Sequence, residues 1–215
     1  MDVVFDNLDR FAAGMGTTVS LTVLSWLGAF VIGVVVASFR VGPILPLRGV
    51  GTVYVEAIRN CPLTVLFAVF FFGFPSIGIL FESKFVSSVI VLSVYTGAFV
   101  AETVRAGVNT VAPGQVEAAR SLGLGFSQVL GLVVLPQALR SVVGPLGSLF
   151  SALIRNSSIA YTIGLVELTG TAQQLSVSTA QFVAVFAGAA LAYLALTLPA
   201  GAVVGVIERR VAIKR

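Results

Sequence analysis

Apolar residues run through this 215-residue chain in long blocks separated by polar punctuation, without the two-residue alternation of strands. The first block, Met15 to Phe39, is uncharged and is followed by Arg40. The second runs from Thr52 to Phe74 and holds Glu56, Arg59 and Asn60 inside it. The third begins at Phe85 and continues past Glu102 toward Gly107. Between Arg140 and Arg155 lie only residues 141 to 154, too short a run to cross a bilayer alone. Gly144-Pro145 predicts a break there, and a fourth block from that point to Val166 has Arg155 as its only charge. The fifth, Phe182 to Ile207, is uncharged. Among the connections, Val41 to Gly51 carries Pro43, Pro46 and Arg48, and Phe74 to Lys84 is a Pro/Gly turn with Glu82. Leu168 to Gln181 is rich in Ser, Thr and Gln, which predicts a loop with a short surface helix.

Composition turns these blocks into membrane spans. The chain is 57% hydrophobic and 10% charged, whereas soluble domains carry roughly a quarter charged residues. A span needs about 20 apolar residues, so the expectation is an all-α membrane protein with about five transmembrane helices. The lack of alternation argues against a β-barrel. Residues 1–215 read as a single transmembrane domain. Arginine and lysine set its orientation. With the C-terminus in the cytoplasm, Arg40, Arg48, Arg105, Arg120, Arg140, Arg209, Arg210, Lys214 and Arg215 lie inside, and only Arg10 and Lys84 lie outside. The acidic N-terminus, with Asp2, Asp6 and Asp9, then faces out and lacks the basic start of a cleaved signal peptide.

Several functions are excluded by what is missing. The net charge of +4 is scattered at helix ends, which implies no nucleic-acid partner. Histidine is absent and Cys61 is alone, so neither an intrachain disulfide nor a His/Cys metal cluster is available. The only lysines are Lys84 and Lys214, and neither follows a glycine-rich phosphate loop. No nucleophile, base and orienting acid stand together, so no catalytic residue and no cofactor are expected.

Residues 101–136 combine charges with repeated Gly and Pro in an otherwise apolar chain. Pro113 suits the first position of a short helix reaching Leu122, and Gly123 suits the residue beyond its end. Glu117-Ala118-Ala119 is followed by Gly123 and then, nine residues later, by Val133-Val134-Leu135-Pro136. This spacing resembles the Glu-Ala-Ala signature of importer-type ABC permeases, with Val133 where isoleucine is common. Tyr54 to Thr64, which includes Glu56, Arg59-Asn60 and Pro62-Leu63, is similar to a segment of the polar amino-acid permeases, with Cys61 in place of the usual threonine. Ala101-Glu102 through Gly107, Gly114-Gln115, Leu135 to Ala138 and Ile163-Gly164 through Glu167 follow the same family. The look is closest to actinobacterial glutamate permeases.

The resemblance implies a MetI-like permease fold in the plasma membrane of a bacterium. It implies a coupling helix, with Gln115, Glu117, Ala118, Ala119, Arg120 and Gly123 meeting a cytoplasmic ATP-binding subunit. A second permease subunit and an extracellular solute-binding protein are the further implied partners, with glutamate or another polar amino acid as cargo moved by alternating access. The competing expectation is a secondary transporter or channel for small polar solutes that needs no ATPase.

Charges inside apolar spans point to a substrate pathway, because a central arginine costs about 2.5–3.5 kcal/mol on insertion scales. Counted from Thr52, Arg59 lies about 10 Å into its span; counted from Pro145, Arg155 lies about 15 Å in. A guanidinium there suits a carboxylate, which it can hold through two parallel hydrogen bonds. Asn60, Asn156, Ser157 and Ser158 offer neutral polar contacts. For Glu56 and Arg59 two roles stay open: lining the pathway, or neutralising each other at (i, i+3). The Phe67 to Phe74 run reads as packing surface. Ile58-Arg59-Asn60 is echoed by Ile154-Arg155-Asn156, too short a match to define a repeat.

Overall fold

In this computed structural model the described residues are 2–81 and 83–211. The expectations for Glu82, Lys214 and Arg215 lie outside them. A helical turn, α1 (Asp2–Phe5), leads into α2 (Leu8–Val41), which extends the first expected span at both ends. Next come α3 (Leu45–Arg59), α4 (Leu63–Ser76), α5 (Lys84–Asn109) and the short α6 (Pro113–Ser121). The chain then continues through α7 (Phe126–Ile163), α8 (Leu168–Thr179) and α9 (Phe182–Val211). Helices α2, α5, α7 and α9 are each long and apolar enough to cross a bilayer, and α3 with α4, bent by 102° between them, are so only as a pair.

The seam between α2 and α5 holds the bundle together. On α2 the buried positions are Phe11, Gly14, Thr18, Leu21, Thr22, Ser25, Ala29, Gly33 and Ala37, mostly small residues recurring every three or four positions. Lipid tails are as apolar as leucine, so association within a membrane relies on close packing and interhelical hydrogen bonds. Both occur here. A Cβ on Gly33 would press into the Val100 side chain and come within 3.1 Å of the Ala101 backbone nitrogen. The Ser93 hydroxyl of α5 donates to the Ser25 carbonyl of α2 at 3.2 Å, and from the neighbouring α3 the Tyr54 hydroxyl donates to the Val94 carbonyl of α5 at 2.6 Å.

Three sequence expectations change. The second span is not one helix from Thr52 to Phe74, because α3 already begins at Leu45 and α4 turns away from it by 102°. Pro62 is the cause: it has no N–H to donate and it disfavours helical backbone at Cys61. Within α4 a π-helical turn, Val69–Gly73, spreads the phenylalanines: Phe67 is buried, whereas Phe72 faces outward.

The fourth span does not start at Gly144-Pro145. Helix α7 passes through both residues, with a π turn at Leu130–Val134 and a 3-10 stretch at Ser157–Ile163. A proline inside a spanning helix is tolerated where neighbouring helices and local adjustments satisfy the freed carbonyl. The glycine marks contact, not a break, since a Cβ on Gly144 would lie 2.6 Å from Glu208 Oε1 of α9. Arg155 therefore sits at the far end of a long helix, one residue before its α-helical part ends at Asn156.

Leu168 to Gln181 is not a surface loop. It is mostly helix α8, with Leu168, Thr171, Ala172, Leu175 and Ser176 buried against neighbouring helices. Ser176, Ser178 and Thr179 spend their hydroxyl donors on the helix's own backbone, and Thr169 bonds Tyr193 of α9, so the segment packs despite its composition.

One end of the bundle gathers the C-terminal ends of α2, α5 and α9 with the beginnings of α3 and α7. Contacts there include Gly51 against Arg40, Gly107 against Val142, and Gly144 against Glu208. Helix α6 lies at this end.

Candidate functional site

Helix α6 is closed at its end by backbone geometry. Gly123 adopts φ +83°, a left-handed conformation that costs a side-chain-bearing residue about 1–2 kcal/mol. The Leu124 N–H donates to the Ala119 carbonyl at 3.2 Å and the Gly123 N–H to the Arg120 carbonyl at 2.9 Å, the paired bonds of a Schellman motif. Ala119 and Leu124 then pack with Val111, Val129 and Val134. Gln115 accepts a 2.7 Å hydrogen bond from Gln137 of α7. Five of the six residues expected on this helix, namely Gln115, Glu117, Ala118, Arg120 and Gly123, are exposed; Ala119 is buried against the protein's own interior. Leu122 and Phe126, which the sequence reading did not single out, are bare beside them at 82% and 73% exposure.

The charges near the α3–α4 bend follow a different pairing from the expected Glu56–Arg59. Glu56 instead faces Asn60, whose amide donates to the Glu56 backbone carbonyl at 2.8 Å and more weakly to its carboxylate. The acid that gathers the arginines is Glu102 of α5. It pairs with Arg40 from the end of α2 and with Arg105 one turn along its own helix. Arg59 Nη1 stands third, 3.9 Å from Glu102 Oε2, with its guanidinium 5.4 Å from the Phe99 ring centroid.

Arg155 lies in a different place. With Ser158, Thr169, Tyr193, Leu194 and Thr197 it lines a cleft of about 450 Å³ between α7, α8 and α9. No described carboxylate pairs with it. Behind the cleft is Glu167, fully buried at the start of α8. Its carboxylate accepts from the Thr169 and Gly170 backbone N–H groups, each at 2.9 Å, and from the Tyr193 hydroxyl at 2.7 Å. Thr18 of α2 adds a longer bond of 3.4 Å. Ser157 is buried, its hydroxyl bonded to Ile154, and the Ser158 hydroxyl bonds the Arg155 carbonyl. Asn156 is half-buried beside them.

The seven expected pathway residues thus fall into two groups: Glu56, Arg59 and Asn60 at the bend, and the Arg155–Ser158 turn, of which only Arg155 and Ser158 line the cleft. Glu102, Glu167 and Tyr193 were missed as site residues. A lone carboxylate within an apolar stretch was the available signal for Glu167. Among the described residues no group of His, Cys, Asp or Glu is placed to hold a metal ion.

A helical bundle with a bent helix pair, buried polar groups at membrane level and a capped helix exposed at one end defines a membrane-embedded transport component. Residues 12–213 match the model of the binding-protein-dependent transport system inner membrane component family, and the chain belongs to that family. It is 40% identical over 210 residues to a probable glutamine ABC transporter permease, GlnM, of Bacillus subtilis, covering 98% of this chain and 97% of the relative. It is 37% identical to the glutamate transport system permease GluC of Corynebacterium glutamicum, with 92% of each covered. Among solved structures, a crystal structure of an amino acid ABC transporter with histidines superposes at TM-score 0.91 with 30% identity, covering 96% of both chains. The MetNI methionine ABC transporter in an inward-facing form shares the fold at TM-score 0.76 and 21% identity. The MetI-like permease fold and the ABC importer family are thereby established.

Proposed function

We infer that the chain is the transmembrane permease subunit of an importer for polar amino acids, glutamate or glutamine foremost, in the plasma membrane of a bacterium. The observation that carries this reading is α6. Its inner side is fixed to the bundle by Ala119, Leu124 and Gln115, while Glu117, Ala118, Arg120 and the bare Leu122 face away. A short rigid helix presenting an apolar tip beside charges suits a groove on an ATP-binding subunit, which supplies the hydrolysis for which this chain has no phosphate loop. The basic residues put α6 in the cytoplasm and the N-terminus outside. A solute-binding protein delivers cargo at the opposite face, and a second permease subunit completes the pathway. Relatives named for glutamine and glutamate support the cargo class.

Along the pathway, Arg155 receives the cargo's α-carboxylate in the cleft that Ser158, Thr169, Tyr193 and Thr197 line with hydroxyls. Arg59, Asn60 and Glu56 form a second polar station at the bend. The test is twofold. The chain should co-purify with an ATP-binding subunit, and the reconstituted complex should take up labelled glutamate in competition with glutamine and arginine. Uptake without any ATPase partner would instead make the chain a secondary transporter or channel.

A further inference from the structure

We propose that Arg59 selects for anionic cargo by reading the side-chain carboxylate of an acidic amino acid, with Glu102, Arg40 and Arg105 as its fixed electrostatic support. The proposal rests on the amino-acid importer reading and narrows its substrate class.

The argument begins with how Glu102 spends its oxygens. Oε1 takes Arg105 Nη2; Oε2 takes Arg40 Nη1 and, at 3.3 Å, Arg105 Nε. Both oxygens are therefore occupied by two arginines from two helices. Arg59 is left at 3.9 Å, beyond hydrogen-bond reach. With Glu56 counted beside Glu102, three guanidinium groups and two carboxylates leave the cluster a surplus of one positive charge.

Arg59 is also the member with unspent donors. None of its N–H groups has a hydrogen-bond acceptor among the described residues. Glu56, one turn back, is turned to Asn60. The Arg59 guanidinium carbon lies over the Phe99 ring, 5.4 Å from its centroid, a cation–π contact that uses up none of its hydrogen-bond donors on an acceptor. Its side chain is 37% exposed, against 31% for Arg105 and 9% for Arg40, and it alone of the three is not hydrogen-bonded to Glu102, so it combines free donors with access for a solute.

The position suits such a role. Arg59 is the last residue of α3, at the 102° bend, where a change in bend angle moves the guanidinium relative to α5. A free guanidinium edge offers a carboxylate two parallel charge-assisted hydrogen bonds, a geometry an amide cargo cannot match with the same charge. Glutamine lacks the charge that the surplus attracts. The selectivity therefore lies in the ratio of acidic to amide cargo.

The experiment uses the assembled importer, with its ATP-binding subunits and binding protein, in vesicles of zwitterionic lipid so that no lipid anion competes. Initial uptake of labelled glutamate and of labelled glutamine is measured for the wild type, Arg59→Gln and Arg59→Lys. The expected result is a wild type that favours glutamate, and a glutamate-to-glutamine ratio that falls at least tenfold in Arg59→Gln. Arg59→Lys, which keeps the charge but loses the planar fork, should retain an intermediate ratio. An unchanged ratio in both variants, even at lower absolute rates, overturns the proposal. If Arg59→Gln does not assemble, the ratio in Arg59→Lys alone decides in the same way. A wild type that carries neutral or cationic amino acids but not glutamate overturns the proposal and leaves the importer reading standing. A wild type that carries no amino acid overturns both.

Discussion

The Tyr193 hydroxyl of α9 donates a 2.7 Å hydrogen bond to the buried carboxylate of Glu167 at the start of α8. The same carboxylate caps α8 through Thr169 and Gly170, so a single acid fixes where one helix begins and which face of another meets it. Hydrogen bonds to charged groups contribute about 1.5–3 kcal/mol. Tyr193→Phe should therefore lower the unfolding midpoint of the purified protein in detergent by several degrees. Glu167→Ala, which also strips the cap, should lower it further. A Tyr193→Phe midpoint equal to the wild type would mean the bond contributes nothing.

The α2–α5 seam makes a sharper structural prediction. Gly33 meets Val100 and the Ala101 backbone, so Gly33→Leu overfills a site that cannot open without separating two helices. The cost should be about 1–3 kcal/mol or more. Gly201→Leu is the control, because nothing lies within 4 Å of a Cβ there. Thermal unfolding should separate the two variants clearly; equal midpoints would contradict the seam.

At the end of α6, Gly123→Ala forces an L-residue into φ +83° where no neighbour obstructs the new methyl group. The penalty of about 1–2 kcal/mol is pure backbone strain. Gly123→Asn should recover part of it, since asparagine tolerates the left-handed region. We expect the alanine variant to retain its spans but to yield less ATP-binding subunit on co-purification, in the order Gly, Asn, Ala. Recovery that is the same for all three would separate α6 from ATPase docking.

Arg155→Ala should abolish uptake by the reconstituted importer while the complex still assembles, because no described carboxylate is left unpaired by its removal. Transport at the wild-type rate would remove Arg155 from the pathway. Arg155→Lys, which keeps a cation but not the planar fork, should fall between them.

The parts of this fold that were legible in the sequence are those where composition and punctuation agree. Blocks such as Met15 to Phe39 are uncharged throughout, and Pro113 with Gly123 brackets α6 in single letters. The misreadings share a cause: a local signal carried a meaning that only packing supplies. Gly144-Pro145 looks like a break, but the glycine makes room for α9 and the bundle absorbs the proline. The Ser/Thr/Gln content of Leu168 to Gln181 suggests a loop, yet Leu168, Ala172 and Leu175 share a helical face. Arg59 and Glu56 have ideal spacing for a pair, but Glu102, 43 residues further on, lies nearer to Arg59 in space. Long-range partners of this kind have no signature in a single sequence beyond the isolated charge itself.

Helix α7 has a further consequence for how the machine moves. From Phe126 to Arg155 it is a continuous helix of about 44 Å along its path at 1.5 Å per residue, tied to α6 through the Gln115–Gln137 bond and the cluster around Val129 and Val134. On the coupling role proposed for α6, its displacement would reach the cleft along this helix, which has two places to bend, the π turn at Leu130–Val134 and Pro145. On that role, stroke length at the cleft would depend on how stiff the π turn and the turn around Pro145 are, one near the fulcrum and one along the arm.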